Sequence, residues 1–304
     1  MDIELVDASL RPALGRAPSL NLEKPLLRRF IAGASRLAPG KRIEGVTVRV
    51  VREGDIRMRV YTPESPSGAG LLWIHGGGLV LGSARMDDRF CGETAQRLGV
   101  TIVSVDYRLA PRHPFPAALD DGYGAWQWLR AHAGELGVDP ARIAVGGQSA
   151  GGGLAASLVQ RLHDEGVRVA AQLVFCPMLD DRTAADRRHD GSEHFIWSNR
   201  SNLVGWSSYL GASLGAAQLP PYAAAARRED LAGLPPTWIY TSDIELFRDE
   251  DIDYARRLEA AGVQVTLEIV SGAPHGFEAW ASDTALAQTL FASARTWLGG
   301  HLER

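Results

Sequence analysis

Eight short apolar runs punctuate this chain, and those rich in valine and isoleucine are mostly continuous rather than alternating in polarity. The runs are Val46–Val51, Ile56–Tyr61, Leu71–His75, Thr101–Asp106, Arg142–Gly146, Val169–Phe175, Thr237–Thr241 and Val263–Val270. A strand that is apolar on both sides must be covered on both faces. The covering elements are present in the helical patterns at Asp88–Leu98, Ala117–His132, Gly151–Glu165, Asp249–Ala261 and Thr284–Trp297. The first two runs flank Arg52-Glu53-Gly54-Asp55 and read as a hairpin. The alternation therefore predicts an α/β fold with a mostly parallel central sheet flanked by helices.

Two regions break the rhythm. Residues 1–45 carry a helical pattern around Leu26–Leu37 but no strand, and residues 182–230 form a long excursion holding Trp197, Trp206 and Tyr209. A connection that long is usually a lid or a binding loop. The expected organisation is a catalytic domain from 46–181 and 231–304, under a helical cap built from 1–45 and 182–230.

Composition narrows the function classes. At 304 residues the chain can bury a full α/β core. Its formal net charge of −4 offers no field for nucleic acid or an anionic membrane. Two cysteines, Cys91 and Cys176, make no disulfide framework, and no apolar stretch is long enough to span a bilayer. Met1-Asp2-Ile3-Glu4 begins no secretory leader. A soluble, cytoplasmic protein is expected.

Three glycine-bearing motifs carry the chemistry. Gly147-Gln148-Ser149-Ala150-Gly151 follows a strand and precedes a helix, a context that exposes a serine on a sharp turn near the positive end of a helix dipole. Read alone, Ser149 is also a sensible helix N-cap. His75-Gly76-Gly77-Gly78 ends another strand, where unshielded N–H groups suit a developing oxyanion. Ala273-Pro274-His275-Gly276-Phe277 follows the last strand, at the carboxyl edge where open α/β sheets bind ligands. The other histidines sit near helix ends, in a proline-rich turn (His113), or, as His189 and His194, around an acidic segment with no standard metal spacing. An acid belongs between serine and histidine, after Thr237–Thr241. Asp249, Glu250 and Asp251 are better placed to open the next helix. Asp243 and Glu245 remain, and spacing does not choose between them.

Together these motifs resemble the hormone-sensitive-lipase-like bacterial carboxylesterases of the α/β-hydrolase superfamily. The resemblance also rests on Asp106-Tyr107-Arg108-Leu109-Ala110-Pro111, His113-Pro114-Phe115-Pro116-Ala117-Ala118 and Asp139-Pro140-Ala141-Arg142-Ile143. It implies an α/β-hydrolase fold with a cap, Ser149 as nucleophile, His275 as base and Glu245 as the acid, with Asp243 the alternative. It implies oxyanion donors at Gly77, Gly78 and Ala150, and a small-molecule ester substrate with a short acyl chain. No metal or organic cofactor is expected. Two positions depart from the pattern: Gln148 where such esterases commonly have aspartate, and Leu79 where an aromatic residue is common. Trp197, Trp206, Tyr209 and Tyr222 are either pocket walls or the core of the cap. An amide, formamide or thioester hydrolase would use the same serine, whereas a non-catalytic small-molecule-binding module would not need His275. If Val263–Val270 lies at a sheet edge, it offers a surface for a homodimer.

Overall fold

Side chains alternate between the two faces of a strand, so each buried run feeds two cores at once. In the computed structural model, which describes residues 1–16, 22–24, 31, 33–35, 40–191 and 194–303, the eight runs form a single sheet. Its strands are β1 (Val46–Glu53), β2 (Ile56–Pro63), β3 (Gly70–Ile74), β4 (Thr101–Asp106), β5 (Ile143–Gln148), β6 (Gln172–Phe175), β7 (Thr237–Ser242) and β8 (Val265–Val270). The order is β1-β2-β4-β3-β5-β6-β7-β8. β1 and β2 are antiparallel, joined at Gly54 and Asp55, and β2 also runs antiparallel to β4. All other neighbours are parallel.

Leu72, Ile74, Val103, Val105, Ile143, Val145, Val174 and Ile239 enter one apolar cluster. Their neighbours Leu71, Trp73, Ile102, Ala144, Leu173, Phe175, Trp238 and Tyr240 enter the other. The helices that cover them are α1 (Asp88–Leu98), α2 (Ala117–Ala131), α3 (Ala150–Asp164), α4 (Asn199–Leu210), α5 (Arg248–Ala260) and α6 (Ala285–Leu302). α2, α3 and α5 supply residues to the first cluster, and α1 and α6 to the second.

One boundary moves for a clear reason. The last strand begins at Val265 rather than Val263, because the Val263 N–H donates to the Leu258 carbonyl at 3.0 Å while Gly262, at φ +82°, turns the chain out of α5. As the order places it, β8 is an edge strand.

The parallel strands bring their carboxyl ends to one edge. From there β3 leads into His75, β5 into Ser149, β7 toward Glu245 and β8 toward His275. β6 leads into the long connection 176–236, which contains α4 and returns to the adjacent strand β7. Leu22 and Ile31 join the apolar cluster that holds Trp197, Trp206 and Tyr209, and Glu23 lies 3.9 Å from Arg200 of α4. Val6 and Leu10 instead join Ala273 and Phe277 in the other cluster, where the Asp7 N–H donates to the Gly272 carbonyl at 2.8 Å. The helix expected around Leu26–Leu37 falls for the most part outside the described residues.

Candidate active site

Gly151 explains the sharp turn on which Ser149 sits. A Cβ at position 151 would collide with the carbonyl oxygens of Ile74 and His75, so only glycine lets α3 start this close to β3. The chain must therefore reverse within one residue. Ser149 takes the strain at φ +53° and ψ −120°, a region a side chain rarely occupies. Its N–H donates to the Phe175 carbonyl at 2.7 Å, and its carbonyl accepts from Gly153 and Met178. Although Ser149 occupies the N-cap position of α3, its hydroxyl makes no capping bond. Ser149 Oγ instead lies 2.8 Å from His275 Nε2.

The imidazole is fixed from its other side. His275 Nδ1 stands 2.5 Å from Glu245 Oε2, and Thr241 Oγ1 donates to Glu245 Oε1 at 2.6 Å. Phe247 meets the ring edge-on, with centroids 5.2 Å apart. Ser149, Glu245 and His275 are all buried, so this chain of contacts is shielded from bulk water. Asp243 is engaged elsewhere: its carboxylate accepts from Ser271 Oγ and from the Gly272 N–H, each at 2.7 Å. The structure thus brings Glu245, not Asp243, to the histidine. The Cys176 sulfur lies within 4.8 Å of the Glu245 and His275 donor atoms, the one such potential metal-ligating group among the described residues. Both nitrogens of His275 are already committed to Ser149 and Glu245, and burial pushes the Cys176 thiol up.

The glycine loop faces the serine across the strand tips. Gly77, at φ +117°, lets the loop fold back until its carbonyl accepts from Leu81 at 2.9 Å. His75 secures the base of the loop, stacking on Tyr107 with centroids 4.3 Å apart while Tyr107 Oη donates to the His75 carbonyl. Among the described residues, no backbone or side-chain acceptor meets the N–H groups of Gly77, Gly78 or Ala150. Trp197 lies directly on Gly78, where any Cβ would run into its indole, and stands 6.2 Å from the His275 ring.

Gln148 acquires a partner that the motif did not announce. Its side-chain amide donates to Glu278 Oε1 at 2.8 Å, and Tyr240 Oη donates to the other oxygen of Glu278. Burial raises the Glu278 carboxyl above the usual range, and these two donors oppose the shift. Glu278 was missed in the sequence, although an acid three residues after the histidine was a usable signal. Glu250 and Asp251 do sit in the first turn of α5, as expected for helix-opening acids, but both are buried. Glu250 accepts from the N–H groups of Leu179 and Asp180, tying α5 to the chain beyond β6.

Next to Ala150 lies a cavity of about 10 Å³, lined by Leu79, Leu154, Met178, Trp206, Tyr209 and the alanines at 223–225 among others. That is room for about one water. Of the four aromatic residues singled out, Trp206 and Tyr209 line this cavity and Trp197 covers Gly78. Tyr222 does neither: its hydroxyl donates to Asp164 at the end of α3.

Comparison with known proteins agrees with this layout. A family described as alpha/beta hydrolase fold matches residues 71–279. Esterase LipI of Mycobacterium tuberculosis is 34% identical over 234 residues, covering 75% of this chain and 72% of its own. Ethyl acetate hydrolase of Pseudomonas putida is 33% identical over 288 residues, covering 90% and 89%. Among solved structures, a bacterial heroin esterase superposes with a TM-score of 0.90 at 39% identity, covering 99% of both chains.

Proposed function

The chain belongs to the hormone-sensitive-lipase-like carboxylesterases of the α/β-hydrolase superfamily, and from that premise we propose that it is a serine carboxylesterase acting through the triad Ser149, His275 and Glu245. One observation carries the assignment: the Ser149 hydroxyl, held on a strained turn, points at His275 Nε2 at 2.8 Å instead of capping its own helix.

The geometry supports the following course. Ser149 Oγ attacks the ester carbonyl carbon as its proton passes to His275 Nε2. Charge gathers on the carbonyl oxygen, where the N–H groups of Gly77, Gly78 and Ala150 receive it. The tetrahedral species collapses, the C–O bond to the alcohol breaks, and His275 returns the proton to the departing oxygen. A water molecule then adds to the acyl-serine, giving its proton to His275, and the acid leaves as Ser149 regains its own. Glu245 accepts the Nδ1–H throughout, holding the tautomer and favouring the imidazolium. A binding module would leave the Ser149–His275 contact without a purpose.

The remaining assignments follow from the surroundings. So tight a cavity beside Ala150 leaves no room for a long acyl chain, and the name of the ethyl acetate hydrolase relative supports a short one. Residues 182–230 act as a cap together with the part of 1–45 around Leu22 and Ile31, a meeting that the Glu23–Arg200 pair supports, whereas Val6 and Leu10 lie on the other face and outside the cap. No described helix is long and apolar enough to cross a membrane. Two buried free cysteines suit the reducing cytoplasm. The edge strand β8, with Ile269 49% exposed, is the surface for a homodimer. Sedimentation of Ile269→Lys tests that contact: a monomer supports it, and an unchanged dimer removes β8 from the interface.

Hydrolysis of p-nitrophenyl esters from acetate to dodecanoate, with Ser149→Ala alongside, tests the function. Turnover by the parent alone, falling with chain length, is expected. Binding of esters without turnover would point to the binding module.

A further inference from the structure

Helix α4 presents residues 202, 205, 206 and 209 on one side, the i, i+3, i+4, i+7 spacing of a single helix face. That face is pressed onto the glycine loop: a Cβ on Gly205 would stand 2.7 Å from the Gly78 carbonyl oxygen. Trp206 and Tyr209 line the small cavity, and Asn202 is fully buried one turn before Trp206.

Among the described residues, the side-chain polar atoms of this face have no partners. Neither Nδ2 nor Oδ1 of Asn202 is hydrogen-bonded, nor is Trp206 Nε1, nor the Tyr209 hydroxyl, nor Trp197 Nε1 above Gly78. Buried donors and acceptors are ordinarily matched, and the mismatch is costly in a low-dielectric site. These four side chains fall within positions 197–209, and the cavity that Trp206 and Tyr209 line holds about one water, too few to answer five polar atoms. Such a surface is completed by a ligand that brings its own hydrogen-bonding groups.

The cavity also says which part of the ligand reaches it. It touches Ala150 and Leu79 but not His275, which must stand beside the departing alcohol. Resting on the esterase reading above, we propose that α4 recognises a polar acyl group, one carrying an oxygen or similar hydrogen-bonding atom beyond the scissile carbonyl, with Asn202 and Trp206 as the specificity-determining residues.

The test uses two p-nitrophenyl esters of equal length, the 3-methoxypropanoate and the pentanoate, which differ by an ether oxygen in place of a methylene. Their kcat/KM ratio is measured in the parent, in Asn202→Leu and in Trp206→Phe. Intrinsic reactivity cancels when each variant's ratio is divided by the parent's. Loss of one matched hydrogen bond should lower the ratio about tenfold in each variant. Asn202→Leu should also raise Tm of the free protein, since it replaces an unmet amide by an apolar group of similar shape. A ratio within twofold of the parent's in both variants overturns the proposal, even if Tm rises. p-Nitrophenyl acetate, assayed in parallel, separates the two levels: its hydrolysis with an unchanged ratio sinks the polar-acyl proposal alone. A parent inert on every ester sinks the esterase reading and this proposal with it.

Discussion

From Ser149 through His275 and Glu245 to Thr241, each side chain at the strand tips meets the next, and beside them Gln148, Glu278 and Tyr240 form a second closed set. Across from them, α4 turns Trp206 and Tyr209 onto the cavity and buries Asn202 on the same helix face, with the side-chain polar atoms of all three unmet. The contrast separates two tasks. Groups that move protons must be positioned before substrate arrives, because misalignment of about 1 Å can cost 10²-fold in rate. Groups that choose a substrate are completed by it.

Ser149→Ala breaks the first set at its head. Steady-state assays should show kcat falling by about 10⁶-fold with the fold intact by circular dichroism. Glu245→Gln should lower kcat by about 10⁴-fold, because the amide no longer holds the required tautomer. Asp243→Asn should stay within about threefold, since it touches only the loop that carries His275. If the two carboxylate variants exchange these effects, the acid has been misassigned.

The boundary between the two regions is open to a double-mutant cycle. Gly78→Ala forces a methyl into Trp197 and should displace the glycine loop, lowering kcat/KM by about 10²-fold. In a Trp197→Ala background the same change should cost about tenfold less. Equal losses in both backgrounds would mean that Trp197 does not brace the loop.

The smallest effect concerns pH. Burial pushes the Asp87 carboxyl up to about 7, against the Trp73 N–H that donates to it. Between about pH 4 and pH 7 the folded protein then holds a proton that the unfolded chain has released, so stability declines as pH rises through that window. Glu278, raised for the same reason, acts with the same sign. Asp87→Asn should make the decline from pH 5 to pH 8 shallower by roughly 1–3 kcal/mol in urea unfolding.

Regular elements and the nucleophile turn were legible because periodicity and glycine placement are local. Thr101–Asp106 and Asp88–Leu98 fall where the sequence puts them, and Ser149 and His275 meet as their strand ends require. The acid was not decided by local pattern. Asp243 and Glu245 both follow β7, and only the path of the chain turns one toward His275 and the other toward Gly272. Glu250 and Asp251 show the same gap, since a helix position does not say what lies against it. Nor does aromatic content reveal that Trp206 and Tyr209 line a cavity while Tyr222 reaches outward to Asp164.

β6 and β7 are neighbours in the sheet and run the same way, so the connection between them leaves and rejoins the sheet at adjacent positions. Its length and shape are therefore free of the strand register that brings Ser149, Glu245 and His275 together. Insertions, deletions or exchanges within residues 182–230 that keep Trp197 and Gly205 against Gly78 can redraw what the enzyme accepts without moving the atoms that react. In such a molecule, a new diet can evolve on an old set of teeth.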